Sequence, residues 1–431
     1  MGYTGSEQFA PSKRFGLFPS AAVGYVVSNE KWWKEALPWW SKLKLRYSDG
    51  YVGSDSADSR WLYYSSYSKS GGYIYQDSAA NEVAQWEMAH KRDIGIELGW
   101  LKNRLTAEID LFDEHRTNML VDPVIPYLVG VDYKQVNKGE MKKHGFEVEL
   151  KWSDRLKNGL GYYVSGMFSF NENRIINYED PPYLPDYQKV AGKPYRGQQD
   201  GVSTVDGGYY TSVDDIHNYP SYATDWTYVP VGGYKYLDYC ADGIINANDL
   251  HSIPGSQYPS MLASLGFGFD WKGWEFSVLF YGNYGKYVRY NGAYEVDFVK
   301  SDVRLSQSMT DFWSPTNPGA NHATLVYNGS AGHPMYAWAG ITQGQDVTMG
   351  LEGRTWRKAD YMNLRDLYLG YTFDKNALKS KAGIRSLTLY LTGNNLLYFT
   401  DLLSGNPELT SFTLGAYPLM RTLQFGLKVG F

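Results

Sequence analysis

The stretch DYCADGIINAND, Asp238 to Asp249, spaces its oxygen-bearing side chains like an EF-hand loop. Asp238 takes the first ligand position, Asp242 the fifth, Gly243 the tight turn, Ile244 the backbone carbonyl, Asn246 the ninth and Asp249 the last. The third position should supply oxygen and instead carries Cys240, whose thiol suits a hard cation poorly. Two readings stand. Asp238, Asp242, Ile244, Asn246 and Asp249 hold calcium, or they form an Asx-stabilised loop around a capped Cys240.

Aromatic residues supply the other candidate chemistry. The segments 175–258 (YEDPPYLPDYQK, DGGYY, DWTYVPVGGYKY) and 290–356 (DFWSPTNPG, GHPMYAWAG) mix rings with Asp, Asn, Pro and Gly. Flat faces beside acceptors are what a sugar needs, which makes Trp226, Tyr228, Trp313, Tyr336 and Trp338 candidate ligand contacts. Packing of these rings within the loops or on a partner protein is the competing role. No catalytic residue is assigned. Glu179, Asp180, Asp214 and Asp215 would matter for glycoside hydrolysis only at a set separation in space. His90, His115, His144, His217, His251, His322 and His333 show no metal-ligand spacing. A net charge of −5 leaves no basic footprint for nucleic acid. A single cysteine rules out an intrachain disulfide.

The elements that must carry these loops read as strands. In LQFGLKVGF the apolar residues Phe425, Leu427, Val429 and Phe431 alternate with Gln424, Gly426, Lys428 and Gly430. SMLASLGFGFDW and WEFSVLFYGNYG repeat the pattern across a tight turn, as do DIGIELGW with RLTAEIDLF and HGFEVELKW with GLGYYVSGMFSF, and NLRDLYLGYTF is followed by SLTLYLTGNNLLYF after the short link 374–383. The opposite faces carry Glu97, Glu108, Asp110, Glu147, Glu149, Asp366 and Tyr390. With GLFPSAAVGYVV and SKLKLRYSDGYVG there are about eleven strands, each near the roughly ten residues that cross a bilayer at a tilt.

The links alternate strictly between short turns and long loops, which marks the two ends of a membrane barrel. Trp32, Trp33, Trp39, Trp40, Trp86, Trp100, Trp152, Trp271 and Trp274 fall near strand ends, where amphipathic rings form interfacial girdles. No apolar run is long enough for a transmembrane helix. The opening MGYTGSEQFAPSKRF lacks the apolar core of a secretory signal. The expected fold is all-β, an antiparallel transmembrane β-barrel with long extracellular loops. A soluble all-β carbohydrate-binding module or glycosidase is the competing class.

The stretches RFGLFPSAAVGYVVSNE, LKLRYSDGYVGSD, VNKGEMKKHGFEVELKW, FSFNENRI, ADGIINANDL with YPS, ADYMNLRDLYLGYTF, LTGNNLLYFTDLLSGNPEL and YPLMRTLQFGLKVGF, in this order, resemble the C-terminal half of the barrel of SusC-like (SusC/RagA) TonB-dependent transporters of Bacteroidetes. In that family the loop at 238–249 reads like DxNGDGxIDxxD, and this chain departs from it at Cys240, Ala241 and Asn246. The resemblance implies residues 1–431 form the C-terminal part of an outer-membrane barrel of about 22 strands, with no plug domain among them. It further implies import of oligosaccharides together with a SusD-like surface lipoprotein, or of oligopeptides by the same architecture. Contact with TonB–ExbB–ExbD is expected through a segment upstream of Met1. The alternating last strand with Phe425, Leu427, Val429 and Phe431 resembles the signal read by the barrel-insertion machinery. As one half of a wall in outer-membrane lipid, this chain alone is expected to aggregate or insert poorly.

Overall fold

The computed structural model describes residues 1–58, 60–195, 205–222, 230–252, 255–290, 310–320, 323–330, 333–338, 356–373, 384–402, 406–409, 411–412, 417 and 419–430. Its main element is an antiparallel sheet of eleven strands. We number them β1 (Ser20–Val26), β2 (Trp40–Ser54), β3 (Glu87–Trp100), β4 (Leu105–Val121), β5 (Val136–Arg155) and β6 (Gly161–Asn177). After these come β7 (Met261–Trp271), β8 (Trp274–Tyr284), β9 (Tyr361–Phe373), β10 (Ser386–Thr400) and β11 (Thr422–Gly430). Every strand pairs with its neighbours in chain order, and β1 and β11 form the two edges. The strand count and order are those expected from the alternation.

Two of the short turns are set by left-handed residues. Lys272 and Gly273 both have positive φ (47° and 89°), the two-residue I′ geometry that matches strand twist. Leu101, Lys102 and Asn103 turn between β3 and β4 with three left-handed residues in a row. At the opposite end the links are long. Strand lengths are unequal: β5 has 20 residues and β4 and β6 have 17 each, against 11 for β7 and β8 and 9 for β11. At ~3.3 Å per residue and a tilt of about 40°, β5 rises roughly 50 Å, well beyond the ~30 Å of a hydrocarbon core.

Register sorts the side chains into rows. Leu45, Ile96, Ile109, Val148, Phe168 and Ala263 are paired in succession across six strands and lie on one face. That face is apolar and uncovered. Leu423, Phe425 and Leu427 are 66%, 75% and 57% exposed, and Phe425 and Leu427 pair with Leu391 and Leu389. A soluble sandwich would bury such rows under a second sheet. Here the larger of the buried apolar clusters, Phe9, Phe18, Leu62, Ala84, Trp86 and Leu120, sits at the long-loop end. No helix among the described residues is long and apolar enough to cross a membrane.

At the short-turn end, a helix α1 (Lys31–Ala36) links β1 to β2 and buries Trp33. Its ring lies 5.6 Å from Trp32 and 4.9 Å from Trp40, which continues the stack to Trp39 and Trp100 at 5.9 Å each. The Trp33 indole N–H donates to the Trp40 carbonyl at 3.1 Å. The ring stack therefore ties the helix to two strands.

Candidate functional site

The face opposite the apolar rows is polar, and on β2 to β4 its charges pair across strands. Lys42 and Lys44 reach Glu97 at 2.6 and 2.7 Å. Arg46 reaches Glu108 at 2.6 Å and Asp110 at 2.7 Å, with Asp93 at 3.8 Å. Cross-strand opposite charges stabilise a sheet pair modestly, so this face is a solvated wall rather than a core. Further across, Ser169 donates to Glu147 at 3.2 Å. At the short-turn end Arg155 pairs with Asp270 at 2.8 Å, beside a cleft of about 560 Å³ lined by Arg104, Lys151, Asp154 and Glu275.

Toward the long loops, the same face closes into a polar knot. Against β8 the pairing steps from Leu364 to Asp366 while β8 runs on from Phe280 to Leu279, so Arg365 is an inserted residue. A bulge re-aims a side chain and bends its strand. Arg365 lies over the Tyr281 ring at 4.8 Å and bonds Glu408 at 2.8 Å, and the Tyr398 hydroxyl donates to Glu408 at 3.0 Å. Lys286, 2% exposed, donates to the carbonyls of Pro407 and Glu408 at 2.8 and 2.9 Å. Burial pushes its ammonium down to about 8 while Glu408 opposes that shift. The amide oxygens of Asn283 and Asn363 are buried in this region with no donor among the described residues.

The loop Asp238–Asp249 is closed by its own acceptors. Asp238 accepts from the backbone N–H of Asp242 at 3.2 Å and Gly243 at 2.8 Å. Asp242 accepts from Ile244 N–H, and Asn246 from Asn248 N–H. Asp249, 1% exposed, accepts from Cys240 N–H at 3.2 Å and Asn246 N–H at 2.8 Å. Ala241 (φ 58°) and Gly243 (φ 84°) make the left-handed turns. One ligand atom each from Asp238, Cys240 and Asp242 falls within 4.8 Å of the others, so a thiol stands where calcium would want oxygen. Burial pushes that thiol up to about 11. The loop docks on the preceding segment: the Tyr187 hydroxyl donates to the Asn248 carbonyl at 2.6 Å, Tyr187 packs tilted against Tyr239 at 4.8 Å, and Tyr239 stacks on His251 at 4.2 Å.

The predicted aromatic contacts are placed unevenly. Trp226 and Tyr228 lie outside the described residues, as does Phe431. Trp313 is 7% exposed and lies against Gly232, whose missing Cβ (φ 84°) makes room for its ring. Tyr336 and Trp338 belong to a strand, His333–Trp338, paired opposite Tyr327 and Leu325. Among the described residues of the long segment between β6 and β7, Tyr183, Tyr239 and Tyr258 are the exposed rings, at 80%, 42% and 46%. Sequence reasoning did not single out Lys286, Arg365, Asn363 or Glu408. Its one available signal was the Arg365–Asp366 pair, two consecutive polar residues that break the alternation in β9.

A family model described as TonB dependent receptor-like, beta-barrel, matches residues 2–239. The TonB-dependent receptor P26 of Formosa agariphila is 24% identical over 464 residues, covering 99% of this chain and 43% of that protein. The TonB-dependent receptor SusC of Bacteroides thetaiotaomicron is 23% identical over 455 residues, covering 100% of this chain and 42% of that protein. Among solved structures, the RagAB peptide transporter superposes with a TM-score of 0.72 at 18% identity, over 99% of this chain and 44% of that one. The chain thus spans less than half the length of the relatives it matches.

Proposed function

The chain belongs to the TonB dependent receptor-like β-barrel family of the outer membrane, and on that premise we propose that it forms part of the wall and outer mouth of a SusC-like importer for oligosaccharides. The apolar rows face lipid, the polar face lines the lumen, and the short turns point to the periplasm. On this reading a ligand meets the loop end first. The observation that carries the saccharide assignment is the set of exposed tyrosines, Tyr183, Tyr239 and Tyr258, on the segment between β6 and β7. Tyr239 is held on one face by its stack on His251, with Tyr187 tilted against it, so its ring is fixed before any ligand arrives. Pre-set flat faces suit sugar C–H surfaces.

The partners follow from the same reading. A SusD-like surface lipoprotein closes over the loop end, and TonB with ExbB and ExbD supplies energy through portions of the protein outside this chain. The knot at Lys286 and Arg365 ties Pro407 and Glu408 to the wall, giving the closing partner a fixed point of contact there. Calorimetry of the intact detergent-extracted protein with its lipoprotein, against separate panels of oligosaccharides and oligopeptides, tests the substrate class. Saccharide binding that weakens about tenfold or more in Tyr239→Ala is expected, at the ~1.4 kcal/mol scale of one stacked ring. Binding of peptides alone would reverse the assignment.

A further inference from the structure

Above the apolar rows, the lipid-facing side of five adjacent strands changes character within two residues. The pairing Tyr47, Ile94, Leu111, Phe146, Phe170 forms the last apolar row across β2 to β6. The next row outward is Asp49, Arg92, Asp113, His144, Glu172, and the one beyond it is Tyr51, His90, His115, Lys142, Arg174. Paired residues share a face, so both charged rows point the way the greasy rows do.

Their height fits the headgroup layer. From Trp100 at the short-turn end up to Arg92, β3 climbs eight residues, ~26 Å along the strand and ~20 Å after tilt, near the ~25 Å of a barrel's apolar band. Within the shelf some charges are satisfied. His90 lies 3.0 Å from Asp49, Arg92 lies 3.9 Å from the same carboxylate, and His115 lies 2.7 Å from Glu140. Lys142 and Arg174 are not. They are exposed, stand directly opposite one another on β5 and β6, and have no ion pair among the described residues. Like charges directly opposite destabilise a strand pair, a cost that an anion between them removes. The exposed carboxylates Asp113 and Glu172 flank the two cations and can only accept hydrogen bonds.

We propose that this shelf binds the headgroup of a phosphorylated glycolipid of the outer leaflet. Lys142 and Arg174 hold a phosphate, while Asp113 and Glu172 accept from sugar hydroxyls. A simple phosphodiester headgroup would use the cations and leave the carboxylates repelled. The shelf is continuous with the lipid-facing band below it, which fixes the occupant as a membrane component rather than a soluble ligand. The inference holds whatever the barrel imports.

Native mass spectrometry of the intact, delipidated protein tests it, with added phosphorylated lipid A, dephosphorylated lipid A, phosphatidylglycerol or inorganic phosphate as probes. The double variant Lys142→Gln, Arg174→Gln should bind phosphorylated lipid A about thirtyfold more weakly, from ~1 kcal/mol for each lost cation. Lys91→Gln removes a cation from the neighbouring position on β3 that faces the lumen, and should bind as the parent does. Heat-modifiable gel mobility verifies that both variants remain folded. Equal retention by the double variant and Lys91→Gln overturns the proposal. So does equal retention of dephosphorylated lipid A, or phosphatidylglycerol or inorganic phosphate binding as tightly as phosphorylated lipid A.

Discussion

Single side chains at the long-loop end do different work from their neighbours in the wall. Lys286 gives up solvent to tie Pro407 and Glu408 to the rim. Its folded value of about 8 lies below that of a free lysine, so above pH 8 the unfolded segment binds the extra proton. The burial penalty is therefore constant at lower pH and is relieved as pH rises past about 8. Cleavage within residues 406–409 by subtilisin, corrected for the enzyme's own pH profile, should slow between about pH 7.5 and 9.5, and Lys286→Met should abolish that trend. Cleavage that quickens instead would contradict the assigned burial. At Asp249, replacement by Ala leaves two backbone donors unmatched, at a cost of about 2–4 kcal/mol to the loop. Hydrogen exchange at residues 238–249 should rise in Asp249→Ala while the wall strands keep their protection. Calcium added to chelator-treated parent protein should leave that exchange unchanged, and a drop would instead assign an ion to the loop.

At the scale of elements, alternation was the legible signal. The register of β7 with β8 and the I′ turn at Lys272–Gly273 follow from residue order alone. What alternation hides is an inserted residue. Arg365 reads as one more polar position, yet the bulge it creates is what brings it to Glu408, a partner 43 residues away. The helix between β1 and β2 is hidden for a related reason: KWWKEA is too short to show a helical period, and its stability comes from rings on the flanking strands. Trp33→Ala should cost about 3–5 kcal/mol, the range for deleting a buried ring. The temperature at which the protein loses its compact gel mobility should fall, whereas Trp32→Ala, on a 58% exposed ring, should lower it much less. Equal shifts from both would mean that the stack does not anchor α1.

For the whole molecule, composition and link lengths together separated a membrane wall from a sandwich, because only a barrel has one end of turns and one of loops. The arrangement within the loops was not legible, since Tyr-rich segments of low periodicity can pack on one another or face outward, as the buried Trp313 and exposed Tyr183 both show. The eleven-stranded sheet presents β1 and β11 as unpaired edges. Expressed by itself with an export signal, the 431-residue chain should be found in aggregates rather than in the outer membrane, because lipid tolerates no open edge. A folded, protease-resistant monomer in the membrane would refute this. The unequal strand lengths carry one more consequence. β5 exceeds β7 and β8 by nine residues, so the rim is a slope: a stiff parapet over β4 to β6 falling to a low sill at β7 and β8. The sill lies between the two longest connections, β6 to β7 and β8 to β9, and on the importer reading proposed above cargo crosses the rim on that low side.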